Sequence, residues 1–325
     1  MNPCVQSENN TGLFNIRTDR NGWRPVYNLG NELGNCPFQC VFCGVRNSPQ
    51  VTEEENIKKF DELYDEFSNC VKGRHHPVIY NQGNCTNPRE FSWKTLCHIL
   101  NRFRNDPDVA YVSINSRECF VSPRLLENLV SLKLSYPVHF ILGVESFSTR
   151  APELLGKDAG NELRRLNEKL KPFNERSVLE QVASTYTFGL DVNLVFLPEL
   201  YLESGDCRDG NESKIKSGWI NDFQCLLNAI DPLVPAEINL HPYYKVKELP
   251  YENADLDIFM SVLPEMNLML TATNYAHHPH IFLGVEGSGY DSSAYQQTLA
   301  RWTPTIDEFN TTGYVKYVVN NYIKT

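Results

Sequence analysis

The sequence predicts an α/β fold built on a parallel sheet, and three observations predict it. Six strand-like apolar runs recur along the chain, helix-like segments stand between them, and the runs are apolar on both faces. Strand and helix alternating at this spacing require right-handed crossovers, which make neighbouring strands parallel. A run such as His139-Phe140-Ile141-Leu142-Gly143-Val144 suits a sheet covered by helices better than one with a wet face. At 325 residues the chain exceeds an ordinary single domain, and one α/β barrel with extensions accommodates that length.

Taken in order, the strands are Val26–Leu29, Val78–Tyr80, Val109–Ile114, Val138–Val144, Leu190–Phe196 and Ala236–Leu240, each β-branched or aromatic-rich and each ending near Gly, Asn or another polar residue. The helices are Glu53–Lys72, Trp93–Arg104, Pro123–Lys133, Gly160–Leu170, Ser177–Tyr186 and Trp219–Ile230. Ser122-Pro123 and Asn87-Pro88 have the form of helix-start or turn devices, with a capping side chain ahead of a proline pre-set for the first turn. Patterning weakens beyond about Tyr244, where Pro250, Pro264, Pro279 and Pro304 act as punctuation. The expected organisation is an N-terminal extension over residues 1–25, a barrel over 26–245 and a C-terminal capping segment over 246–325, on the substrate side.

Composition narrows the function classes. Apolar residues make up 41% and charged residues 22%, enough for a large buried core, so disorder is not the general state. The first twenty-five residues hold polar runs such as Ser7-Glu8-Asn9-Asn10, and no stretch approaches the roughly 20 apolar residues of a membrane helix. A soluble cytoplasmic protein with no membrane partner is the expectation. A net charge of −10, with no Lys/Arg stripe, argues against nucleic acid as a partner, although a local basic groove can hide in an acidic average. Ten cysteines in such a chain read as thiols and metal ligands rather than disulfides.

Three of the ten stand together. Cys36-Pro37-Phe38-Gln39-Cys40-Val41-Phe42-Cys43 places three thiols within eight residues, between Gly34 and Gly44. Random placement of ten cysteines yields this C-x3-C-x2-C spacing with a probability of about 1%. A buried helical stripe would also bring positions i, i+4 and i+7 together, but Pro37 and the flanking glycines weaken it. Structural zinc needs a fourth ligand, and His277, His278 or His280 could supply one, so zinc stays open as the lesser alternative. Thiolate ligation of an iron–sulfur cluster suits the set, because three ligands for four irons leave one iron open for chemistry.

This motif, with aromatic Phe42 before the third cysteine, resembles the signature of the radical S-adenosylmethionine (SAM) superfamily. The resemblance extends over about residues 26–245 and implies a partial (β/α)6 barrel of the TIM type. It also implies a [4Fe–4S] cluster on Cys36, Cys40 and Cys43 whose open iron binds SAM. Further motifs follow successive strands. Gln82-Gly83-Asn84, within Tyr80–Glu90, is similar to the SAM-amino loop of the Elp3-like branch, with an amide in place of the usual acid. Asn115-Ser116-Arg117-Glu118 is similar to that branch's next strand-end element, and Arg117 is the best partner for the SAM carboxylate. Leu142-Gly143-Val144-Glu145-Ser146 resembles the element whose acid binds the ribose hydroxyls, here Glu145. Asn193 and His241 occupy remaining mouth positions as adenine or substrate contacts. Cys85, Cys119 and Tyr243 are candidates for returning a hydrogen or proton during turnover, against the alternative that each is merely a packed side chain.

The function that follows is reductive cleavage of SAM to a 5′-deoxyadenosyl radical that abstracts hydrogen from a small polar metabolite or natural-product intermediate. An electron donor such as flavodoxin or ferredoxin is implied. No second close-spaced cysteine set suggests an auxiliary cluster, and no upstream cobalamin domain is expected. Two other readings stand beside it: a radical SAM tRNA-modifying enzyme, which would need a basic groove, and a non-catalytic binding module stabilised by zinc or a cluster.

Overall fold

In the computed structural model, the residues described are 14–19, 22–38, 40, 49–70, 72–157, 159–179, 186–203, 206–243, 254–272, 279–284 and 293–312. Eight strands form one sheet in chain order: β1 (Phe14–Asp19), β2 (Gly22–Asn28), β3 (Val78–Tyr80), β4 (Val112–Asn115), β5 (Val138–Glu145), β6 (Phe188–Phe196), β7 (Ala236–Pro242) and β8 (His280–Leu283). Strand β1 pairs antiparallel with β2, whereas β2–β3, β3–β4, β4–β5 and β7–β8 are parallel. The helices are α1 (Glu53–Cys70), α2 (Trp93–Phe103), α3 (Pro123–Ser131), α4 (Ala151–Leu155), α5 (Ala159–Leu179), α6 (Glu212–Ala229), α7 (Leu256–Ala272) and α8 (Ser293–Thr312). This is an α/β fold of the partial TIM-barrel type.

All six predicted strands are present, with β4 beginning at Val112 rather than Val109 and β6 at Phe188 rather than Leu190. The expected N-terminal extension contributes β1, a strand of the sheet, and β2 begins at Gly22 rather than Val26. The C-terminal segment adds a parallel strand, β8, so the six expected parallel strands become seven. Asn310 of α8 ties that strand to the following helix: its side-chain Oδ1 accepts from Leu283 N at 2.7 Å and its Nδ2 donates to Leu283 O at 3.2 Å. The two helices expected at Gly160–Leu170 and Ser177–Tyr186 are instead the single helix α5, ending at Leu179, and Tyr186 lies outside it. Pro172 is inside that helix, as Pro264 is in α7 and Pro304 in α8, although the sequence patterning reads the latter two as punctuation. An interior proline costs roughly 3 kcal/mol. In α7 the burial of Phe259, Met260, Val262, Leu263, Met266 and Leu270 outweighs that cost.

The helix starts follow local chemistry. Thr52 and Glu55 form a reciprocal capping box, with Glu55 N donating to Thr52 Oγ1 at 3.1 Å and Thr52 N donating to Glu55 Oε2 at 2.7 Å. Ser92 caps α2 and Ser122 caps α3, the latter with proline in the first turn. Asn87-Pro88 proves to be a turn that ends before α2.

The chain divides into two compact units: residues 1–39, 45–142 and 168–191, and residues 40–44, 143–167 and 192–325. In the first, Tyr27 of β2, Phe60 of α1 and Phe103 of α2 form an aromatic core with centroids 5.1 to 6.0 Å apart. In the second, Phe196 of β6, Trp219 of α6 and Phe259 of α7 meet edge to face, with Phe196 centred 4.7 Å from Trp219 and 5.0 Å from Phe259. No helix among the described residues is long and apolar enough to cross a membrane.

Candidate functional site

In the first unit the site is assembled from the loops that leave the C-terminal ends of β2, β3 and β4, where barrel proteins concentrate function. The loop after β2 is pinned before it reaches the cysteines. Gly30 N donates to Asn56 Oδ1 and Asn56 Nδ2 donates back to Gly30 O, both at 2.9 Å, so a residue of α1 takes up both backbone groups. Asn56 also donates to buried Glu32, whose other oxygen accepts from Ser92 N at 2.8 Å. Gly30 has no room for a side chain, because a Cβ there would lie 2.6 Å from Val51. The loop then delivers Cys36, half-buried and in no disulfide.

The loop after β3 carries Asn81 to Phe91 and folds around one carboxylate. Glu90, wholly buried, accepts from Asn84 N at 2.8 Å, from Asn84 Nδ2 at 2.9 Å and from Asn87 Nδ2. Its Oε2 occupies the space a Cβ on Gly83 would take, which is why glycine stands there. Asn84 Nδ2 also lies 3.6 Å from Cys36 Sγ, within reach of an N–H···S bond. Gln82 Oε1 is buried and has no hydrogen-bond partner among the described residues.

The loop after β4 closes the group. Asn115 Oδ1 accepts from Asn81 N at 3.1 Å and from the Cys85 thiol at 2.8 Å, while its Nδ2 donates to Gly83 O. Burial, above all, pushes the Cys85 thiol up to about 12, so it stays a neutral S–H. Arg117 stacks its guanidinium over the ring of Phe38, 4.1 Å from the centroid, and Phe38 meets Phe120 edge-on at 5.8 Å. Phe38, two residues after Cys36, is thus held by an aromatic and cationic clamp. Cys119 is exposed in the short turn Glu118–Phe120, and the neighbouring Glu118 is buried in an ion pair with Lys169.

In the second unit Glu145 ends β5 with φ +66°. That left-handed conformation is uncommon for a residue with a side chain and concentrates at functional positions. The carboxylate, buried, pairs with the equally buried Lys157 at 3.0 Å, and the pair lies across Gly143, where a Cβ would meet Glu145 Oε1 at 2.2 Å and Lys157 Nζ at 2.7 Å. The following turn hangs on Asp222 of α6, whose Oδ2 accepts from Ser146 Oγ, from Phe147 N at 3.1 Å and from Tyr201 OH at 2.8 Å. Burial raises the Asp222 carboxyl above the usual carboxylate range, against the lowering effect of those donors. Asn193 Oδ1 accepts from Asn239 Nδ2 at 2.9 Å, and His241 Nδ1 lies 3.0 Å from Gly284 O. Tyr243 is buried beside Ala151, Leu155, Leu197, Leu200 and Ala254. Cys40 is half-buried and in no disulfide, while Phe42 and Cys43 lie outside the described residues.

Of the residues expected from sequence, Cys36, Gly83, Asn84, Cys85 and Asn115 are brought into one hydrogen-bonded group in the first unit. Glu145 stands at the end of β5 as expected. Sequence reasoning passed over Lys157, Asp222, Tyr201, Phe38 and the carboxylate roles of Glu32 and Glu90. Glu90 had a detectable signal, an acid six residues beyond a Gln-Gly-Asn that lacks one. Lys157 and Asp222 had none, being ordinary charged residues in helical surroundings.

No family model matches this chain, and no curated protein matches it. Among solved structures it is similar to a radical SAM methyltransferase from Sphaerobacter thermophilus, with 11% identity, a TM-score of 0.47, and 83% of this chain and 69% of that one covered. It is also similar to SuiB of Streptococcus suis, alone and bound to S-adenosylmethionine, with 16% identity and a TM-score of 0.47 in each case. Those matches cover 80% of this chain, which spans about half the length of SuiB, 49% and 50% respectively.

Proposed function

We propose that this chain is a radical SAM enzyme, in which Cys36, Cys40 and Cys43 hold a [4Fe–4S] cluster. The observation that carries the reading is the C-x3-C-x2-C set in the loop after the first parallel strand, with Cys36 placed against the loop that follows the second. The residues present fit the group. None of the seven cysteines whose side chains are described is in a disulfide, which is consistent with Cys36 and Cys40 serving as thiolate ligands. Held by these three thiolates, such a cluster would supply the one-electron chemistry by which SAM is cleaved reductively.

The protein's own work is to bind and orient. Gln82 Oε1, a buried acceptor with no donor among the described residues, suits the SAM ammonium, since an orphaned acceptor costs stability until a donor reaches it. Glu145 is the acceptor for the ribose hydroxyls, held in place by Lys157 and by the Asp222 turn behind it. Arg117 is assigned to the SAM carboxylate, a fork suited to two parallel hydrogen bonds. Asn115 has both amide atoms engaged by the β3 loop and therefore shapes the site. The substrate is taken to be a small polar metabolite or natural-product intermediate, with a flavodoxin or ferredoxin as electron source and the cytoplasm as its place.

The test is anaerobic reconstitution with iron and sulfide, reduction, and assay of 5′-deoxyadenosine and methionine released from SAM. Release by the parent, lost in Cys36→Ala, Cys40→Ala and Cys43→Ala, is the expected result. Zinc bound at full coordination with no cleavage would overturn it in favour of a binding module, and salt-sensitive tRNA binding would redirect the substrate assignment.

A further inference from the structure

Asn84 stands between two sulfur- and oxygen-bearing partners, and its amide points in a direction that Glu90 dictates. The Glu90 carboxylate accepts from both Asn84 N and Asn84 Nδ2, and it accepts from Asn87 Nδ2 as well. A carboxylate only accepts, so it turns the NH2 end of the Asn84 amide toward itself. That same NH2 nitrogen lies 2.9 and 3.3 Å from the two Glu90 carboxylate oxygens and 3.6 Å from Cys36 Sγ, so it faces both partners. Burial of Asn84 and Glu90, at 4% and 0% exposure, keeps water from competing for either hydrogen. A hydrogen bond to a cluster sulfur stabilises the more negative, reduced form and raises the reduction potential.

We infer that Asn84, oriented by Glu90, tunes the reduction potential of the cluster through an N–H···S hydrogen bond to Cys36. The inference rests on the cluster reading and deepens it by giving an unassigned role to the amide that stands where related loops carry an acid. It also accounts for Glu90: the carboxylate is a positioning group, fixed too deeply to meet a ligand. Asn84 is thereby a donor to the cluster side, whichever acceptor binds the SAM ammonium.

The experiment is a redox titration of the reconstituted protein without SAM, followed by electron paramagnetic resonance. Asn84→Ala and Asn84→Ser, both neutral changes, are expected to shift the midpoint potential to more negative values at equal iron content. A second measurement uses the parent alone, labelled with 15N in asparagine side chains, so that it does not depend on a variant folding. The reduced cluster is expected to show hyperfine coupling to one asparagine nitrogen. Unchanged potentials in the variants, or no asparagine coupling in a parent that carries the cluster, would overturn the inference while leaving the cluster reading intact. A parent that assembles no cluster under any condition would overturn both.

Discussion

Glu145, Lys157 and Gly143 show how much of the site depends on single atoms. The two charges are buried together, so removing one leaves the other without compensation, a change that costs about 3–5 kcal/mol in comparable pairs. Lys157→Met is therefore expected to lower stability by that order in urea denaturation, and the double variant Glu145→Gln with Lys157→Met is expected to recover part of the loss. Gly143→Ala tests the same pair from beneath, because its methyl would displace Oε1 and Nζ. Weakened SAM binding in that variant, measured by equilibrium dialysis, is the expected outcome. Unchanged affinity would separate Glu145 from the ribose role.

At the scale of elements, the local rules written into the sequence are obeyed where side chains cap or turn the backbone. Ser92 accepts from Thr95 N at the start of α2, and its loss to alanine is expected to cost about 1 kcal/mol, read from the denaturation midpoint. Phe60 joins α1 to β2 and α2 through buried ring contacts. Phe60→Ala should cost about 3–5 kcal/mol, because the space it leaves is walled by rings that cannot collapse into it. Two of the elements that departed from expectation are tied to partners distant in sequence. Asn174 of α5 accepts from Thr187 N and Phe188 N, and its Nδ2 donates to Phe188 O, so the helix beyond Pro172 is tied to the start of β6. The periodicity of α5 contains no trace of that bond. The same holds for Asn310 and β8.

Two buried acids give the whole molecule opposite responses to pH. Burial raises the pKa of Asp191, but the hydrogen bond and charge of His139, with the charge of Arg24, outweigh it and leave the carboxyl below its usual value of 3.8. A depressed carboxyl adds stability above its unfolded pKa and loses it as pH falls through the folded one. Asp222 is shifted upward by burial, so the stability it favours is present below 3.8 and is lost as pH rises through its folded pKa. Asp191→Asn is expected to flatten the acid side of the stability profile, and Asp222→Asn to remove a decline on its upper side. Urea denaturation from pH 3 to 7 distinguishes the two, and identical profiles for parent and variants would refute both assignments.

The sequence by itself determined the α/β class, the six central strands and the cysteine motif, because each depends on neighbours in the chain: alternating runs, capping residues and a fixed thiol spacing. It also located Asn84, Asn115 and Glu145 at strand ends, since a loop that follows a predicted strand inherits its position. Only the tertiary structure decided that Glu90 orients Asn84 toward Cys36, that Lys157 meets Glu145 across Gly143, and that β1 and β8 extend the sheet. Except for the short-range Asn84–Glu90 link and the local β1–β2 pairing, which runs from Phe14 opposite Tyr27 to Asp19 opposite Gly22, these pairings join residues twelve or more positions apart through burial and hydrogen bonding. Such partners leave no periodic mark in the chain, so they become visible only when the backbone has brought them together.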